Sequence, residues 1–341
     1  MPESPSSRAP LAAADALELA AAAGVHRISL PIPWPLRQVN VYLLEGEPLT
    51  LLDTGPNWGA ALHALERGIA GRGYRVEDLE MVVVSHQHAD HLGLAEILVE
   101  RSGAQVACLE PLAGILGDLP STLEADDDFA AALLRSSGFD DDLVVVLRSA
   151  HSGLRHWGCS VEASRRLHDG GRLAMGGREW LIRHLPGHSP TDTVLWDPEL
   201  GIALGGDHLI RHISSNPVVH RPVDGPAGER PHALQTYLRS LGITRELDLR
   251  VVLPGHGEPV TDHASLIDER VRMHADRAER FLEHLGSEPR TPFELARAMW
   301  GRTALEQPLL TLSEVYGHMD LLVAEGRVRE LPGPVVRFAA G

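Results

Sequence analysis

Short apolar runs separated by turn residues predict a series of strands in the first third of the chain. The predicted strands cover residues 27–30, 41–44, 49–52, 81–84 and 105–109. Apolar side chains at helical spacing predict one helix over residues 58–70 and another that begins near Asp90 and ends near Gly103. This alternation of strands and helices indicates an α/β protein.

A second series of strands follows, at residues 173–175, 180–185, 193–196, 202–204 and 251–253. Between the two series, residues 111–166 are predicted to form a mostly helical insertion, because acidic triplets at 126–128 and 140–142 precede apolar segments. We interpret both triplets as carboxylates that stabilise helix N-termini, and not as metal ligands.

The C-terminal part is predicted to be helical, beginning with a long amphipathic helix over residues 264–285. The outline of a winged helix follows: a helix from 291 to 299, a helix over 312–325, and two short strands at 326–329 and 335–338. We therefore divide the chain into a flexible tail and helix (1–22), a main domain (23–287) and a winged-helix-like domain (288–341).

The composition and net charge indicate which classes of binding partner the protein has. The chain has 341 residues and a formal net charge of -16. This negative charge argues against a protein whose main function is to bind nucleic-acid backbones, because such binding requires a basic surface. The predicted helix over 312–325 contains no Lys or Arg, so we expect its domain to serve packing or homo-oligomerisation and not nucleic-acid binding. The two cysteines are too few for a disulfide scaffold, which favours the reducing cytoplasm. No apolar run reaches membrane-spanning length.

Histidine and aspartate residues gather at the ends of predicted strands. His86, His88, Asp90 and His91 form a His-x-His-x-Asp-His motif directly after the strand over 81–84. The downstream candidates each follow a strand or its turn: His188, Asp207 and His256. Imidazole and carboxylate are ligands of zinc, iron and manganese. Strand ends that meet at one sheet edge would bring all seven side chains together, so the pattern predicts a metal site.

These motifs resemble those of the metallo-β-lactamase-fold hydrolases, in particular their glyoxalase II-like branch. The shared motifs are Leu52-Asp53-Thr54-Gly55, His86-x-His88-x-Asp90-His91, Pro186-Gly187-His188-Ser189, Gly206-Asp207 and Pro254-Gly255-His256-Gly257. The resemblance covers about residues 25–285 apart from the insertion, and it implies a four-layer αββα sandwich with the metals at one edge. The part from about 288 resembles the winged-helix domain of the β-lactamase-like protein 2 subgroup.

The resemblance also implies how the ligands are shared between two divalent metal ions. One ion would be bound by His86, His88 and His188. The second ion would be bound by Asp90, His91 and His256, and Asp207 would bridge the two. Zinc is the first choice, with iron and manganese as alternatives, because the same His and Asp ligands accept all three.

Two such ions imply hydrolysis by a hydroxide that they activate. Asp90 would then be a catalytic residue that orients this hydroxide as well as a ligand. Asp53 either orients a ligand histidine from behind or is only the turn residue of its Asp-Thr-Gly motif. We expect a small-molecule acyl ester or thioester as substrate, selected by the helical insertion as a lid or pocket wall. Two alternatives stay open: a phosphodiesterase or endoribonuclease on the same scaffold, and a non-catalytic or diiron redox protein.

Two further groups of side chains are expected to have structural roles. Of the histidines that follow Asp207, one could face the substrate, but each is interpreted first as a structural or surface residue: His208, His212 and His220. Three tryptophans could line a pocket, but core packing is the default expectation for them: Trp34, Trp58 and Trp157.

Overall fold

The computed structural model describes residues 10–152, 156–223 and 230–341, and most of its strands belong to two sheets. The first sheet has six strands in chain order: β1 (Val25–Pro31), β2 (Gln38–Leu44), β3 (Thr50–Leu52), β4 (Met81–Val84), β5 (Gln105–Leu109) and β6 (Arg165–Leu167). β1 to β3 pair antiparallel, whereas β3 to β6 pair parallel. The strands predicted for this part of the chain are confirmed, and β6, which was not predicted, extends the sheet at its edge.

The second sheet has the order β11-β10-β9-β8-β7. Its strands are β7 (Arg172–Met175), β8 (Arg178–His184), β9 (Thr193–Asp197), β10 (Ile202–Gly206) and β11 (Val251–Pro254). β7 to β10 form an antiparallel meander, and β11 joins β10 in parallel. This second series agrees with the strands predicted from apolar runs.

Helices surround the two sheets. They are α1 (Ala13–Ala22), α2 (Gly59–Ala70), α3 (Ala89–Leu92), α4 (Ala95–Ser102), α5 (Glu110–Gly117), α6 (Leu119–Ser136), α7 (Asp141–Ser152), α8 (Ala233–Arg245), α9 (His263–Leu285), α10 (Pro292–Trp300), α11 (Thr303–Glu306) and α12 (Pro308–Ala324). α1 confirms the N-terminal helix, while residues 1–9 of the predicted flexible tail lie outside the described residues. None of the helices in the described ranges is both long and apolar enough to cross a membrane.

The sheets pack face to face to form the central core. Leu43 and Val83 of the first sheet share one buried apolar cluster with Trp180 and Leu204 of the second. α2 covers the outer face of the first sheet through the same cluster, whereas α8 and the beginning of α9 cover the outer face of the second. The predicted four-layer αββα sandwich is therefore confirmed.

Residues 110–152 form three consecutive helices, α5 to α7, which agrees with most of the helical insertion predicted at 111–166. The end of that range was predicted wrongly, because Arg165 and Arg166 belong to β6 of the first sheet, where they pair with β5. At the start of α7, Asp140 Oδ1 accepts a hydrogen bond from Asp142 N at 3.0 Å, so the second acidic triplet does stabilise a helix N-terminus.

The interpretation of the first acidic triplet was wrong. α6 begins at Leu119, so residues 126–128 lie in the middle of the helix and not at its N-terminus. The cap is Asp118, whose Oδ1 accepts a hydrogen bond from Ser121 N at 3.2 Å. Pro120 lies in the first turn, where the missing N–H has no helical partner to lose.

The C-terminal region contains α10 to α12 and a hairpin of β12 (Val328–Leu331) and β13 (Arg337–Ala340), each strand two residues later than predicted. α12 starts at Pro308, four residues before the predicted helix, because proline fits the first turn. Leu134 of α6, Phe281 of α9 and Leu312 of α12 share one buried cluster. The C-terminal helices thus pack against the helical insertion and α9, and the domain boundary at 288 stays a prediction.

Candidate metal centre

Strands of both sheets end where the candidate ligands lie. Fully buried β4 leads directly into the segment Ser85–His91, and Asp207 and His256 follow the parallel strands β10 and β11. A backbone hydrogen bond of 3.1 Å from Thr193 N to Ser85 O joins the second sheet to the end of β4. Convergence of these strand ends brings the seven predicted residues together, in overlapping groups whose ligand atoms lie within 4.8 Å of one another.

Three imidazoles form the first group. His86 Nε2 lies 3.0 Å from His88 Nδ1, and His188 Nε2 lies 2.9 Å from the same nitrogen. Zn–N bonds of about 2.0 Å in tetrahedral geometry put two ligand nitrogens roughly 3.3 Å apart. The three nitrogens are thus close to the spacing that a single ion requires.

The second group contains Asp90, His91 and His256. Asp90 Oδ2 lies 3.3 Å from His256 Nε2 and 3.9 Å from His91 Nε2. A carboxylate oxygen and two imidazole nitrogens therefore surround a second point.

Asp207 lies between the two groups. Its Oδ2 is 3.6 Å from His188 Nε2 of the first group and 3.3 Å from His256 Nε2 of the second. Its Oδ1 is 3.5 Å from His91 Nε2. A carboxylate with a ligand group on either side has the position that a bridging ligand occupies in a two-metal site.

Asp53 fixes part of this cluster through hydrogen bonds to Ser85 and His91. Its Oδ2 accepts hydrogen bonds of 2.8 Å from His91 Nδ1 and from Ser85 Oγ, and its Oδ1 accepts one of 2.8 Å from Ser85 N. Asp53 has a φ of 59°, a left-handed conformation in which Asp is one of the favoured residues. Of its two interpretations, the contacts agree with the one in which Asp53 orients a histidine.

Backbone carbonyls orient two more imidazoles. His188 Nδ1 donates to Asn216 O at 3.1 Å, and His256 Nδ1 donates to Gln38 O at 2.7 Å. With Nδ1 protonated, the Nε2 lone pair of each ring is available to a metal ion. In both rings it is Nε2 that lies inside the cluster.

The electrostatics of the cluster fit bound cations. Burial and neighbouring imidazoles hold the pKa values of His86 and His88 well below the usual range, so both rings are neutral and have a lone pair that a cation could use. Burial alone would lower the pKa of His256, but the carboxylates of Asp207 and Asp90 raise it to about 10. The pocket therefore attracts positive charge at this point.

Two buried atoms of the cluster lack a hydrogen-bond partner among the described residues: His91 Nε2 and Asp207 Oδ1. Buried polar atoms without partners are rare and call for an ion or water. Because an imidazole nitrogen and a carboxylate oxygen are suitable donors, the residues fit divalent cations.

The histidines after Asp207 have different surroundings. His208 is buried, with Nε2 2.7 Å from Thr244 Oγ1, and His212 is exposed; both agree with the expected structural or surface roles. His220 instead packs beside His88, with ring centroids 5.5 Å apart. The sequence did not distinguish His220 from His208 and His212, because its loop has no regular secondary structure from which its position could be derived.

A further histidine cluster lies between α9 and α12. His318 Nδ1 donates to Glu314 O at 2.6 Å, which leaves His318 Nε2 to accept from His274 Nδ1 at 3.2 Å. Arg277 forms an ion pair with Glu314. Burial lowers the pKa values of both histidines to about 4. These contacts describe a neutral hydrogen-bond chain that joins two helices.

Comparison with known proteins identifies the class that this fold and site define. The model of the metallo-beta-lactamase superfamily matches residues 34–256, and the chain belongs to this family. The match includes all seven candidate ligands.

Among individual proteins, the chain is 32% identical over 305 residues to the probable metallo-hydrolase YqjP of Bacillus subtilis, covering 87% of this chain and 92% of that protein. It is 23% identical to a beta-lactamase-like protein 2 homolog of Caenorhabditis elegans, covering 75% and 68% of the two chains. A metallo-beta-lactamase family protein from Thermus thermophilus has a similar structure, with a TM-score of 0.78, 28% identity, and coverage of 93% and 99%.

Proposed function

We propose that the protein is a metal-dependent hydrolase that cleaves a small-molecule ester or thioester. The observation that supports this most directly is the position of Asp207, whose carboxylate lies within 3.6 Å of imidazoles from both ligand groups. A shared carboxylate implies two cations in one site. The relative that is named a probable metallo-hydrolase supports the same class of activity.

In this proposal all seven candidates hold metal. The first ion would be held by His86, His88 and His188 and the second by Asp90, His91 and His256, and Asp207 would contribute to both. Two divalent cations held there would supply a water of lowered pKa as the nucleophile and would polarise the substrate oxygen. Zinc is the first choice of metal, ahead of iron and manganese.

Exposure indicates the side from which substrate enters. The side chains of His91, His256 and Asp207 are at most 7% exposed, whereas His188 is 12% and Asp90 is 16% exposed. Asp90 is therefore the carboxylate that reaches towards the substrate. We assign it the role of accepting a hydrogen bond from the attacking water and orienting it, in addition to binding metal.

Three half-buried tryptophans support an apolar acyl group as part of the substrate. Trp157 contacts Trp34 and Trp58 edge to face, with ring centroids 5.6 and 6.2 Å apart. Trp34 lies four residues before Gln38, which holds His256, and Trp58 lies five residues after Asp53. Trp34 and Trp58 thus lie close in sequence to residues that contact the metal centre. All three tryptophans are half-buried, and Trp34 and Trp58 pack against the central core, which agrees in part with the expected core packing.

The remaining expectations also belong to this proposal. A glyoxalase II-like reaction, a cytoplasmic location and a winged-helix domain at 288–341 that serves packing or homo-oligomerisation are consistent with it. The net charge of -16 favours small-molecule substrates over nucleic acid.

The test is a substrate panel, run both with the protein as purified, whose metal content is measured first, and with protein loaded with two zinc ions per chain. Acyl esters and thioesters of increasing chain length are compared with single-stranded RNA as the phosphodiester substrate. We expect turnover of the acyl substrates. Cleavage of RNA alone would replace the proposal by the phosphodiesterase alternative, and iron content with visible absorption and no hydrolysis would favour the redox alternative.

A further inference from the structure

The C-terminal helix α12 is connected to the candidate metal centre by residues 213–221, here called the 213–221 loop. At one end of the connection, Asn216 O accepts the hydrogen bond from His188 Nδ1. At the other end, Val219 N donates to Ser313 Oγ of α12 at 2.9 Å. The Asn216 side chain adds a second link, because its Nδ2 donates to Leu310 O at 3.3 Å.

Ser313 is placed to act as a fixed acceptor. It is 1% exposed, and its hydroxyl donates to Leu309 O at 2.6 Å, one turn earlier in the helix. Because the single hydroxyl proton is used in this bond, only lone pairs are left to face the loop. Val219 N supplies the matching donor, and the Val219 side chain is buried in the same apolar cluster as Val315 of α12.

The loop therefore carries two residues that touch the first ligand group. Asn216 O orients the His188 ring, and His220, next to Val219, packs its ring against His88. His88 and His188 are the two histidines of that group that are partly exposed, whereas His86 is buried. They depend most on outside contacts for a fixed orientation.

We propose that α12 is a positioning element of the metal centre: through Ser313 it fixes the 213–221 loop, which orients His188 and His88. This inference rests on the proposed function only in so far as the two histidines bind metal. It assigns the C-terminal region a role in the site, although the candidate ligands all precede residue 257.

The experiment uses the full chain loaded with Co²⁺, whose visible bands report the geometry of histidine ligation. Ser313→Ala removes the acceptor for Val219 N. Thr311→Ala is the matched control, since Thr311 lies on the same helix and its hydroxyl donates within the helix, to Gln307 O at 3.0 Å. Asn216→Ala removes the second link and keeps the carbonyl that holds His188.

We expect Ser313→Ala to shift the Co²⁺ bands and to weaken Co²⁺ affinity by roughly threefold to tenfold, less than the loss of a direct partner of a ligand. Asn216→Ala should shift the same bands, and Thr311→Ala should leave bands and affinity unchanged. A purely structural role of Ser313 would lower the melting temperature without moving the bands.

Wild-type bands and affinity in a folded Ser313→Ala variant would overturn the inference; if that variant does not fold, wild-type bands and affinity in Asn216→Ala would overturn it. The two variants keep it testable if one of them does not fold. Because the readout is metal ligation, a protein that binds Co²⁺ but hydrolyses none of the acyl substrates would count against the proposed function and leave this inference standing.

Discussion

Asp53 and His91 are joined by a hydrogen bond of 2.8 Å between Oδ2 and Nδ1, and both side chains are fully buried. The same carboxylate accepts the Ser85 backbone N–H and hydroxyl, and the Ser85 oxygen is in turn 3.0 Å from His86 Nδ1. Asp53 thus contacts His91 directly and His86 through Ser85, and these two histidines are candidate ligands of different metal ions. Such partners of ligands set the ring orientation and strengthen metal binding.

Replacing Asp53 by Asn should weaken metal binding by about 10- to 100-fold, because the amide cannot accept from all three donors that the carboxylate serves. Asn tolerates the left-handed conformation of this position, so the backbone is not strained. Competition with a chromogenic chelator measures the affinity. Asp53→Gly is the companion variant: it also fits the backbone but has no side chain, and wild-type affinity in it would contradict the assigned role.

Gly255 is expected to tolerate no side chain. A Cβ there would lie 2.4 Å from Asp207 Oδ1 and 2.7 Å from His91 Cε1. The backbone cannot move away, since Gly255 N donates to Gly206 O and Gly255 O accepts from Asn40 N, both at 2.6 Å. The added methyl group would crowd Asp207, the carboxylate proposed to bridge the two metal ions. Overpacking of about 1–3 kcal/mol at this position should lower kcat/KM by roughly 5- to 150-fold.

Steady-state kinetics and metal analysis of Gly255→Ala test this expectation. Gly59→Ala serves as the control, because a Cβ at Gly59 meets no atom within 4 Å and alanine favours the helix that begins there. Equal kinetics for the two variants would show that Asp207 has room to shift.

His88→Ala should abolish most of the turnover while leaving the fold intact. The variant loses one of three nitrogens around the first metal position, and a cation contributes several kcal/mol to charge stabilisation, which corresponds to roughly 100- to 1,000-fold in rate. Circular dichroism, metal content and kcat/KM are measured together. His63→Ala, which changes an exposed histidine on α2, is the matched control. Retained activity in His88→Ala would exclude the two-metal mechanism.

Removing the metals with a chelator should both inactivate and destabilise the protein. Binding to the folded state alone adds about 2.7 kcal/mol for each site when free metal is 100 times its Kd. We therefore expect the melting temperature to fall on chelation and to recover with two equivalents of Zn²⁺ per chain. Calorimetry with a metal titration gives the stoichiometry; recovery after a single equivalent would point to one occupied site.

Trp157→Ala should change the KM for different acyl substrates more than it changes kcat. Loss of an apolar contact of about 1.5 kcal/mol would raise KM roughly tenfold for long acyl chains, and the acetyl substrate should be little affected. The comparison of KM across chain lengths is the measurement. Trp300→Ala provides the control, because Trp300 packs on Phe281 in the C-terminal region. A parallel loss for all chain lengths would argue against an acyl pocket at Trp157.

Local patterns were sufficient for much of the fold. β4 was predictable because a continuous run of four apolar residues ends at a cluster of polar ligands. The start of α6 was placed too late because the acidic triplet at 126–128 looked like a helix start. The actual start has its own local signals, since Asp118 caps the helix and Pro120 lies in its first turn.

The sequence by itself determined which residues are able to bind metal and which strands carry them, because ligand chemistry and strand period are local properties. Only the tertiary structure decided how the ligands are held. Asp53 lies 38 residues from His91, Asn216 lies 28 from His188, and Gln38 lies 218 from His256. These bonds form only when the sheets pack against each other and α12 meets the 213–221 loop, since no spacing within a single strand or helix encodes them.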